Sequence, residues 1–306
     1  MDQALNQAKG LKVGYFSLFE SINDQEVAGH LFEAAATWLG QRKLVECKGP
    51  VAPGGPQEDH GKGLLVDGFH RPPALLTAYN PPYYQKLLES HGFRKDFDLY
   101  AYLLETERVL ARTRIPEELY QYACRRYNLH LRPVDFKNPE RDIPVIKRVL
   151  DLAVPDTWPD VLPPSLEEVR SAARDLKKIA DPDFTVIAWA GDEPVGFAAA
   201  LPDYNQVFIH MNGRFTPLAL CKFFHYKRKI TRFRLFIIFV IPAFRKKGIA
   251  QALCYPIFKH ALAKGYRHGE GSIIGEQNIE MRRDIEKAGG IRDKTYRIYQ
   301  KSLGEG

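Results

Sequence analysis

The segment with the clearest chemical pattern is PAFRKKGIAQAL, residues 242–253. It places three consecutive cations, at 245–247, directly before Gly248, and it follows the apolar run LFIIFV at 235–240. When an apolar strand enters a helix through a short loop, the first N–H groups of the helix point outward. Together with the helix dipole they bind anions. Gly248 and the small Ala250 leave room for a phosphate beside that backbone. The pattern predicts a binding site for a phosphorylated ligand.

The positive charge of the chain is concentrated around the same segment. The 306 residues include 44 Lys and Arg against 37 Asp and Glu, a formal net charge of +7. Nine of the basic residues and none of the acidic ones lie between Lys222 and Lys247, so the rest of the chain is close to neutral. Such a cluster can form a solvated surface, a nucleic-acid patch, an anionic-membrane surface or a pocket for a phosphorylated ligand. Charge alone leaves these interpretations open.

Composition narrows the class of protein. With 45% hydrophobic and 26% charged residues, the sequence predicts globular structure with enough length for two domains. No apolar stretch near the N-terminus predicts a secretory signal, and the longest apolar run, 235–244, is shorter than the ~20 residues of a membrane-spanning helix. The four cysteines are far apart, and the histidines match no metal-binding motif. A cytoplasmic protein without a metal site is expected.

The first half of the chain predicts the order strand, helix, strand, helix, strand. Apolar periodicity places these elements at 12–20, 24–42, 44–51, 83–93 and 97–104. Asp24 is the expected N-cap of the first helix, and the predicted buried stripe of that helix is Val27, Leu31, Ala34, Ala35 and Trp38. A loop rich in glycine and proline, 51–82, follows the second strand.

The second half repeats and extends this order after a predicted connecting helix at 116–126. Its expected strands lie at 130–134, 184–201 (two strands around a turn), 235–240, 269–275 and 293–303. Its expected helices lie at 139–153, 165–180 and 248–264, with a further helix that opens at Asn278. Pro256 is expected to kink the helix at 248–264 or to end its first part.

Around residues 245–250 the sequence resembles the GNAT acyltransferase superfamily. Members hold the pyrophosphate of acetyl-CoA on an R/Q-x-x-G-x-G/A loop between the fourth strand and the third helix, and Arg245, Gly248 and Ala250 stand at its defined positions. The element order fits over residues 129–303. The resemblance implies an α/β (α+β) GNAT fold, with a mixed central sheet flanked by helices. It also implies acetyl-CoA, or another acyl-CoA, as co-substrate.

The resemblance assigns the contacts of that co-substrate by position. Asn278 matches an asparagine that lies near the pantetheine arm in the family. Backbone N–H groups near Val240 and Ile241 are expected to orient the thioester carbonyl, because Pro242 interrupts the strand there. The full set of expected contacts is Phe239, Val240, Ile241, Arg245, Lys246, Lys247, Gly248, Ile249, Ala250 and Asn278.

The first half resembles the back part of the same fold. Its helix at 83–93 ends in the Gly-Phe pair that typically closes the fourth helix of a GNAT domain. The loop SINDQEV that follows its first strand contains neither glycine nor cation, so this half is not expected to bind CoA. The chain is interpreted as a tandem GNAT protein of a bacterial type. The expected divisions are a partial GNAT-like domain at 1–115, a connecting helix at 116–128 and a full GNAT domain at 129–306.

The implied reaction is the direct attack of an amine, from a small molecule or a peptide, on the thioester. A lysine-like amine with a pKa of about 10.4 is almost fully protonated at neutral pH, so it requires a general base more than an amine with a pKa of about 7.7 does. Glu276 is the first candidate for this base and Glu270 the second. The tyrosine acid of the family would fall at Ile285, so Tyr296 is predicted to protonate the leaving thiolate, with Tyr299 as its alternative.

Other functions stay open. One is a catalytically inactive GNAT-fold binding protein, and another is a basic module for a membrane surface or for nucleic acid, although nucleic acid is not the expected partner. The segment 203–234 joins aromatic and basic residues. It is predicted to form a lid over the acyl chain or, at 218–234, a surface helix on anionic lipid. The loop 63–84 is a candidate wall for the acceptor, with Asp67 and Tyr79 as polar groups.

Overall fold

The computed structural model describes residues 2–51, 62–112, 114–155 and 161–304. Part of the predicted loop at 51–82, residues 52–61, lies outside them. The first half contains α1 (Gln3–Lys9), β1 (Val13–Tyr15), α2 (Gln25–Gly40), β2 (Glu46–Gly49), β3 (Leu64–Asp67), α3 (Tyr84–Ser90), β4 (Arg94–Glu105), α4 (Thr106–Ala111) and α5 (Arg114–Tyr127).

The second half is longer and begins with a strand directly after α5. It contains β5 (Leu129–Pro133), α6 (Ile143–Ala153), α7 (Leu166–Leu176), β6 (Thr185–Ala190), β7 (Glu193–Pro202), α8 (Asn205–Phe208), α9 (Pro217–Lys227), β8 (Arg232–Val240), α10 (Ile249–Ala263), β9 (His268–Gly275), α11 (Ile279–Lys287) and β10 (Ile291–Ser302). Short 3-10 turns occupy Pro139–Arg141, Pro182–Phe184 and Pro242–Phe244.

All these strands form one mixed sheet of ten strands. Their order is β1-β2-β10-β4-β9-β8-β7-β6-β5, and β3 pairs with β10 beside this path. The pairs β1–β2 and β8–β9 are parallel, whereas β10 is antiparallel to both β2 and β4, and β4 is antiparallel to β9. The mixed sheet flanked by helices confirms the predicted fold class.

The two halves exchange their last strands within this sheet. The final strand of the second half, β10, lies between β2 and β4 of the first half, and β4 lies between β10 and β9. The units β1-α2-β2 and β8-α10-β9 therefore occupy equivalent positions on either side of the β10–β4 pair. Each half completes the sheet of the other, so the domain division expected from the sequence separates units that share one sheet.

The cap of α2 matches the prediction, but its buried face does not. The Asp24 side chain accepts hydrogen bonds from the N–H groups of Glu26 and Val27. The buried residues are Ala28, Gly29, Phe32 and Leu39, whereas the predicted stripe is exposed: Val27 is 40%, Leu31 46% and Trp38 44% accessible. Phe32 decides the orientation of the helix because it packs into an aromatic cluster with Phe16, Phe19 and Phe93.

Three further observations concern the bounds and lengths of individual strands and helices. The strand expected at 12–20 is shorter in the structure, where β1 spans Val13–Tyr15. Pro256 does not end α10, which continues to Ala263 and packs against β7, β8 and α5. Among the described helices, none is both long and apolar enough to span a bilayer.

Candidate active site

The sheet opens between β8 and β9. The two strands pair in parallel from Arg232 with His268 to Leu235 with Gly271. Beyond this point β8 continues to Val240, paired only with β7. The register of β8 against β7 shifts between the partners of Ala199 and Ala200, which makes Phe236 an extra, bulged residue. A wedge between β8 and β9 therefore begins at the bulge.

Backbone N–H groups of β8 point into this wedge. Ile241 N donates to Val195 O at 3.0 Å, so its N–H belongs to the pairing with β7. N–H groups alternate in direction along an antiparallel strand. The N–H groups of Ile238 and Val240 consequently point to the open side. The N–H group of Ile241, which was expected to orient the thioester carbonyl, points to β7, and that of Ile238 lies on the open side in its place. Phe239 pairs with Phe197 of β7.

The loop after β8 presents an uncapped helix terminus. Gly248, the N-cap of α10, has φ +77° and no side-chain cap, and Lys246 also has a left-handed φ of +60°. Ala252 N donates to Gly248 O at 2.9 Å, so the N–H groups of Ile249 and Ala250 precede the first intrahelical bond. A side chain at 248 would be strained by the backbone and would project beside these donors. The terminus fits an anionic diphosphate.

The three cations of the loop have different surroundings. Arg245 braces the loop, donating to Ala153 O at 2.7 Å and to Val240 O at 3.2 Å. Lys247 lies over the ring of Phe244, 4.9 Å from its centroid. Lys246 is exposed and pairs with Glu280 on α11 at 2.7 Å. Arg245 therefore shapes the loop, and the two lysines supply charge around it.

The residues predicted from α11 have packing roles in the structure. The Asn278 side chain caps α11 by accepting a hydrogen bond from Met281 N at 3.3 Å. Ile285 packs against the sheet, since a Cβ added at Gly271 would lie 2.5 Å from Ile285 Cδ1. The position of the family tyrosine is thus filled by an apolar side chain that covers β9.

A chain of buried polar side chains lies where β8 and β9 begin to separate. Arg234 Nε donates to Ser272 Oγ at 2.8 Å, and Ser272 Oγ donates to Glu270 Oε1 at 2.9 Å. Lys294 Nζ, on β10, donates to Glu270 Oε2 and to Asp293 Oδ2, each at 2.8 Å. Arg234, Glu270 and Lys294 are no more than 1% exposed. Charges at such depth are stable only when they are paired, so the network holds β8, β9 and β10 together.

The loop between β3 and α3 covers this network. Arg234 Nη1 donates to Leu75 O at 2.9 Å and to Leu76 O at 3.2 Å. Asp203 accepts from Leu75 N at 2.9 Å and from Arg232 Nε at 2.6 Å. The first half thus supplies a wall of the site in the second half. Sequence reasoning missed this contact, although Arg232 and Arg234 alternating in an apolar strand were a signal for buried partners.

The polar groups predicted for that wall do not take part in it. Tyr79 is 56% exposed, and its hydroxyl donates to Phe69 O at 3.3 Å. Asp67 is exposed at the end of β3. Neither side chain hydrogen-bonds to the buried network within the described residues.

The predicted base and acid lie on opposite faces of the sheet. Glu276 accepts a hydrogen bond from Lys95 Nζ at 2.7 Å, beside the ion pair of Asp98 with Arg297. Tyr296 is fully buried, and the alternation of side chains along β10 directs it away from its neighbour Arg297. The structure does not bring Glu276 and Tyr296 together.

Tyr296 instead adjoins the buried network. Burial raises the pKa of its hydroxyl, with a smaller effect of the same sign from Glu270, and the Thr77 hydroxyl and Arg234 lie close enough to oppose it. Its hydroxyl makes no hydrogen bond of acceptable geometry within the described part of the chain. Tyr299, the alternative acid, donates to Glu89 in the first half at 3.1 Å and is remote from this network.

Comparison with known proteins assigns the second half of the chain. Residues 148–270 match the model of the acetyltransferase (GNAT) family, so the second half contains a GNAT-family acyltransferase domain. The family implies an acyl-CoA co-substrate. A bacterial ceramide synthase of Caulobacter vibrioides is 28% identical over 99% of this chain and 79% of its own length. The protein YghO of Escherichia coli is 24% identical over 99% of this chain and 77% of its own length.

Solved structures show that the GNAT architecture extends over most of the chain. A GCN5-related N-acetyltransferase from Sphaerobacter thermophilus superposes with a TM-score of 0.52 and 15% identity, covering 90% of this chain and 68% of its own. A tandem GNAT protein from the clavulanic acid biosynthesis pathway gives a TM-score of 0.51 and 11% identity, covering 90% and 70%. The chain therefore has the tandem GNAT fold.

Proposed function

We propose that this protein is an acyl-CoA-dependent N-acyltransferase whose acceptor is a long-chain, sphingoid-type amine. The observation that carries the proposal is the β8-α10-β9 unit. It combines a wedge between parallel strands, outward N–H groups on β8 and an uncapped helix terminus with a left-handed glycine. Acyl-CoA requires these three features together: a cleft for its pantetheine arm, a hydrogen-bond donor for its thioester carbonyl and an anion site for its diphosphate.

The class of acceptor is supported by a relative that aligns with almost the whole chain. That relative is a ceramide synthase, and a ceramide is the N-acyl derivative of a sphingoid amine. By the same argument the acyl group of the donor, predicted as acetyl, is proposed to be a longer fatty acyl chain. The alignment includes the first half, which supplies the wall over the buried network, so both halves belong to the proposed enzyme.

The thioester of acyl-CoA supplies the electrophilic carbonyl. In this proposal the N–H groups of Ile238 and Val240 hydrogen-bond that oxygen and stabilise negative charge on it. An alkyl amine is mostly protonated at neutral pH, so its nitrogen must lose a proton before it attacks. Glu276 stays the proposed base, with Glu270 as second candidate. Glu276 is reached by solvent, whereas Glu270 lies beside the first residues of the wedge.

The leaving thiolate requires a proton from a group that still carries one. Burial raises the pKa of Tyr296, so its hydroxyl stays protonated at neutral pH but is a weaker acid than an exposed tyrosine. Ile285 offers no proton, so Tyr296 is the proposed donor in place of the family tyrosine. A thiol with an ordinary pKa of about 8.5 is a tolerable leaving group, which makes this acid helpful rather than essential.

The test combines two acyl donors with two amine acceptors. The purified protein is incubated with acetyl-CoA or palmitoyl-CoA and with either sphinganine or a free lysine derivative, and amide product and released CoA are measured by mass spectrometry. The proposal expects the amide of sphinganine with the long-chain donor. Acyl-CoA binding without any amide would favour the inactive binding protein. Product with lysine alone would keep the reaction type and overturn the lipid acceptor.

A further inference from the structure

The segment between β7 and β8 exposes a group of large apolar side chains, which we call the α9 surface. Phe215 is 86%, Leu218 68%, Phe224 64% and Leu220 49% accessible, and Ile209 before them is 70% accessible. Large apolar side chains that are exposed singly are ordinary, but several clustered on one short segment mark an interaction site.

The exposed side chains are not needed for the packing of α9. The helix packs through another stripe, in which Ala219 is buried and the ring of Phe223 stacks on Tyr204 and Phe208 at 6.0 and 6.5 Å. Leu220 and Phe224, four residues apart, lie on an adjacent, exposed face, about 100° around the helix axis from Ala219 and Phe223. The helix is therefore apolar on two faces, and the structure accounts for only one of them.

The charge around the α9 surface has a single sign. From Tyr204 to Gly269 the sequence contains no Asp or Glu. The exposed cations on and beside α9 are Arg214, Lys222, Lys227, Arg228 and Lys229. Lys227 lies over the Tyr204 ring at 5.7 Å and Lys229 over the Tyr226 ring at 5.4 Å. Within the described residues, none of the five makes a salt bridge, so their charge is available to an external anion.

We propose that the α9 surface docks this protein on an anionic lipid bilayer. Apolar side chains would enter the boundary between head groups and acyl chains, and the flanking cations would contact lipid phosphates. A second copy that brought its own α9 surface would present the same positive charge. A double-stranded nucleic acid would contact the cations but would leave the exposed leucines and phenylalanines without an apolar partner. The proposal concerns binding alone and does not depend on acyl transfer.

The exposed stripe of α2 provides a matched contrast. Leu31 and Trp38 are 46% and 44% accessible, comparable to Leu220, but the helix also carries exposed Glu26 and Glu33. Carboxylates at this position repel anionic head groups. The two apolar surfaces therefore differ in the charge that surrounds them, and only the α9 surface is expected to bind such a bilayer.

The test is co-sedimentation of the full chain with vesicles of phosphatidylcholine alone or with about 30% phosphatidylglycerol. We expect binding to the anionic vesicles, weakened at about 0.5 M salt. Phe215→Ser with Leu220→Ser and Phe224→Ser should lower the binding at least about tenfold, and Lys222→Gln with Arg228→Gln about fivefold for each cation. The control, Leu31→Ser with Trp38→Ser, should bind as the parent does.

Two measurements keep this result separate from folding and from catalysis. Each variant should retain the circular dichroism of the parent and its thermal stabilisation by acyl-CoA, so that a loss of vesicle binding is local. Equal binding to neutral and anionic vesicles, or full binding by the α9 variants, would overturn the proposal. So would a change of the α9 variants from oligomer to monomer without lipid, since the surface would then join copies of the chain.

Discussion

The units β1-α2-β2 and β8-α10-β9 have the same topology and equivalent positions in the sheet, yet only the second is proposed to receive an anionic cofactor. Each places a helix after the first of two parallel strands. Three local differences between them support this proposal.

The first difference is that β1 and β2 remain closed. Beyond the paired residues, Phe16 N still donates to Lys48 O at 2.9 Å, and Val51 N donates to Phe16 O at 2.8 Å. A Cβ on Gly49 would lie 2.5 Å from Phe16 O, which leaves no space between the strands. By contrast β8 and β9 separate after Leu235, so their backbone groups are available to a ligand.

The second difference is at the helix terminus. The Asp24 carboxylate occupies the start of α2, accepting from Glu26 N at 2.8 Å and from Val27 N at 3.2 Å. An anionic ligand would have to displace a negative charge that is already bound to these donors. At α10 the cap is Gly248, which has no side chain, and three cations precede it. The same helix dipole is thus satisfied internally in one unit and left open in the other.

The third difference is the kind of side chain that packs behind the loop of each unit. Phe16, Phe19, Phe32 and Phe93 fill the space next to β1 and α2 with aromatic rings. Behind the second unit lie the charged groups of Arg234, Glu270 and Lys294, covered by a loop of the first half. The region behind the first loop is therefore an apolar core, whereas the equivalent region of the second half contains charged side chains.

The largest expected effect comes from giving the second unit a negative charge like that of the first. Gly248→Glu puts a carboxylate and a strained side chain at the helix terminus. Two like charges about 4 Å apart repel by about 4 kcal/mol at an effective dielectric constant of 20, so acyl-CoA should bind about a thousandfold more weakly. The measurement is the rise in melting temperature on adding acyl-CoA, which a ligand at 100 times its Kd produces through about 2.7 kcal/mol of stabilisation.

The matched control for this variant lies at the other loop. Asn23→Glu adds the same charge next to α2, at an exposed position. It should leave the acyl-CoA shift unchanged. A full shift in Gly248→Glu together with a lost shift in Asn23→Glu would reverse the comparison between the two units.

A smaller loss is expected from breaking the buried network. Lys294→Met leaves Glu270 as an unpaired charge at a site that is 1% exposed, which should lower the free energy of unfolding by about 3 kcal/mol or more. The double variant Lys294→Met with Glu270→Gln removes both charges and should recover most of this loss. Urea denaturation measures it. Lys95→Met, at a partly exposed ion pair with Glu276, should cost at most about 1 kcal/mol. A double variant no more stable than Lys294→Met alone would show that the network is not held by charge pairing.

The base is tested by comparing two carboxylates in one assay. Glu276→Gln should slow transfer to an alkyl amine about a hundredfold at neutral pH, with a smaller effect on an amine of low pKa and an unchanged acyl-CoA shift. The double variant Lys294→Met with Glu270→Gln serves as the comparison. If Glu276→Gln transfers the acyl group to both amines at the rate of the parent protein, Glu276 is not the base. If only the double variant loses activity, the role of base belongs to Glu270.

The smallest effect is expected at the cap of α2. Asp24→Ala removes two hydrogen bonds and should lower stability by about 1 kcal/mol. It should not create a second acyl-CoA site, because β1 and β2 stay closed. The thermal shift of this variant should equal that of the parent, and an increase would show that the cap alone blocks the first unit.

The sequence predicted those features that are determined by residues close together along the chain. The turn at Gly248 with the start of α10, the Asp24 cap and the element order follow from local periodicity and from residue types with few alternatives. Both flanks of α2 carry apolar residues, so periodicity alone could not choose the buried one. The strand exchange and the partners of Arg234 join residues far apart in the chain, and no local pattern encodes such pairing.

The most direct test of the central claim is the stoichiometry of CoA binding, measured by native mass spectrometry of the full chain. The comparison between the two units predicts one CoA per chain, retained in Asn23→Glu and absent in Gly248→Glu. Two bound molecules, none, or one that survives in Gly248→Glu would contradict the claim that the β8-α10-β9 unit alone forms the site.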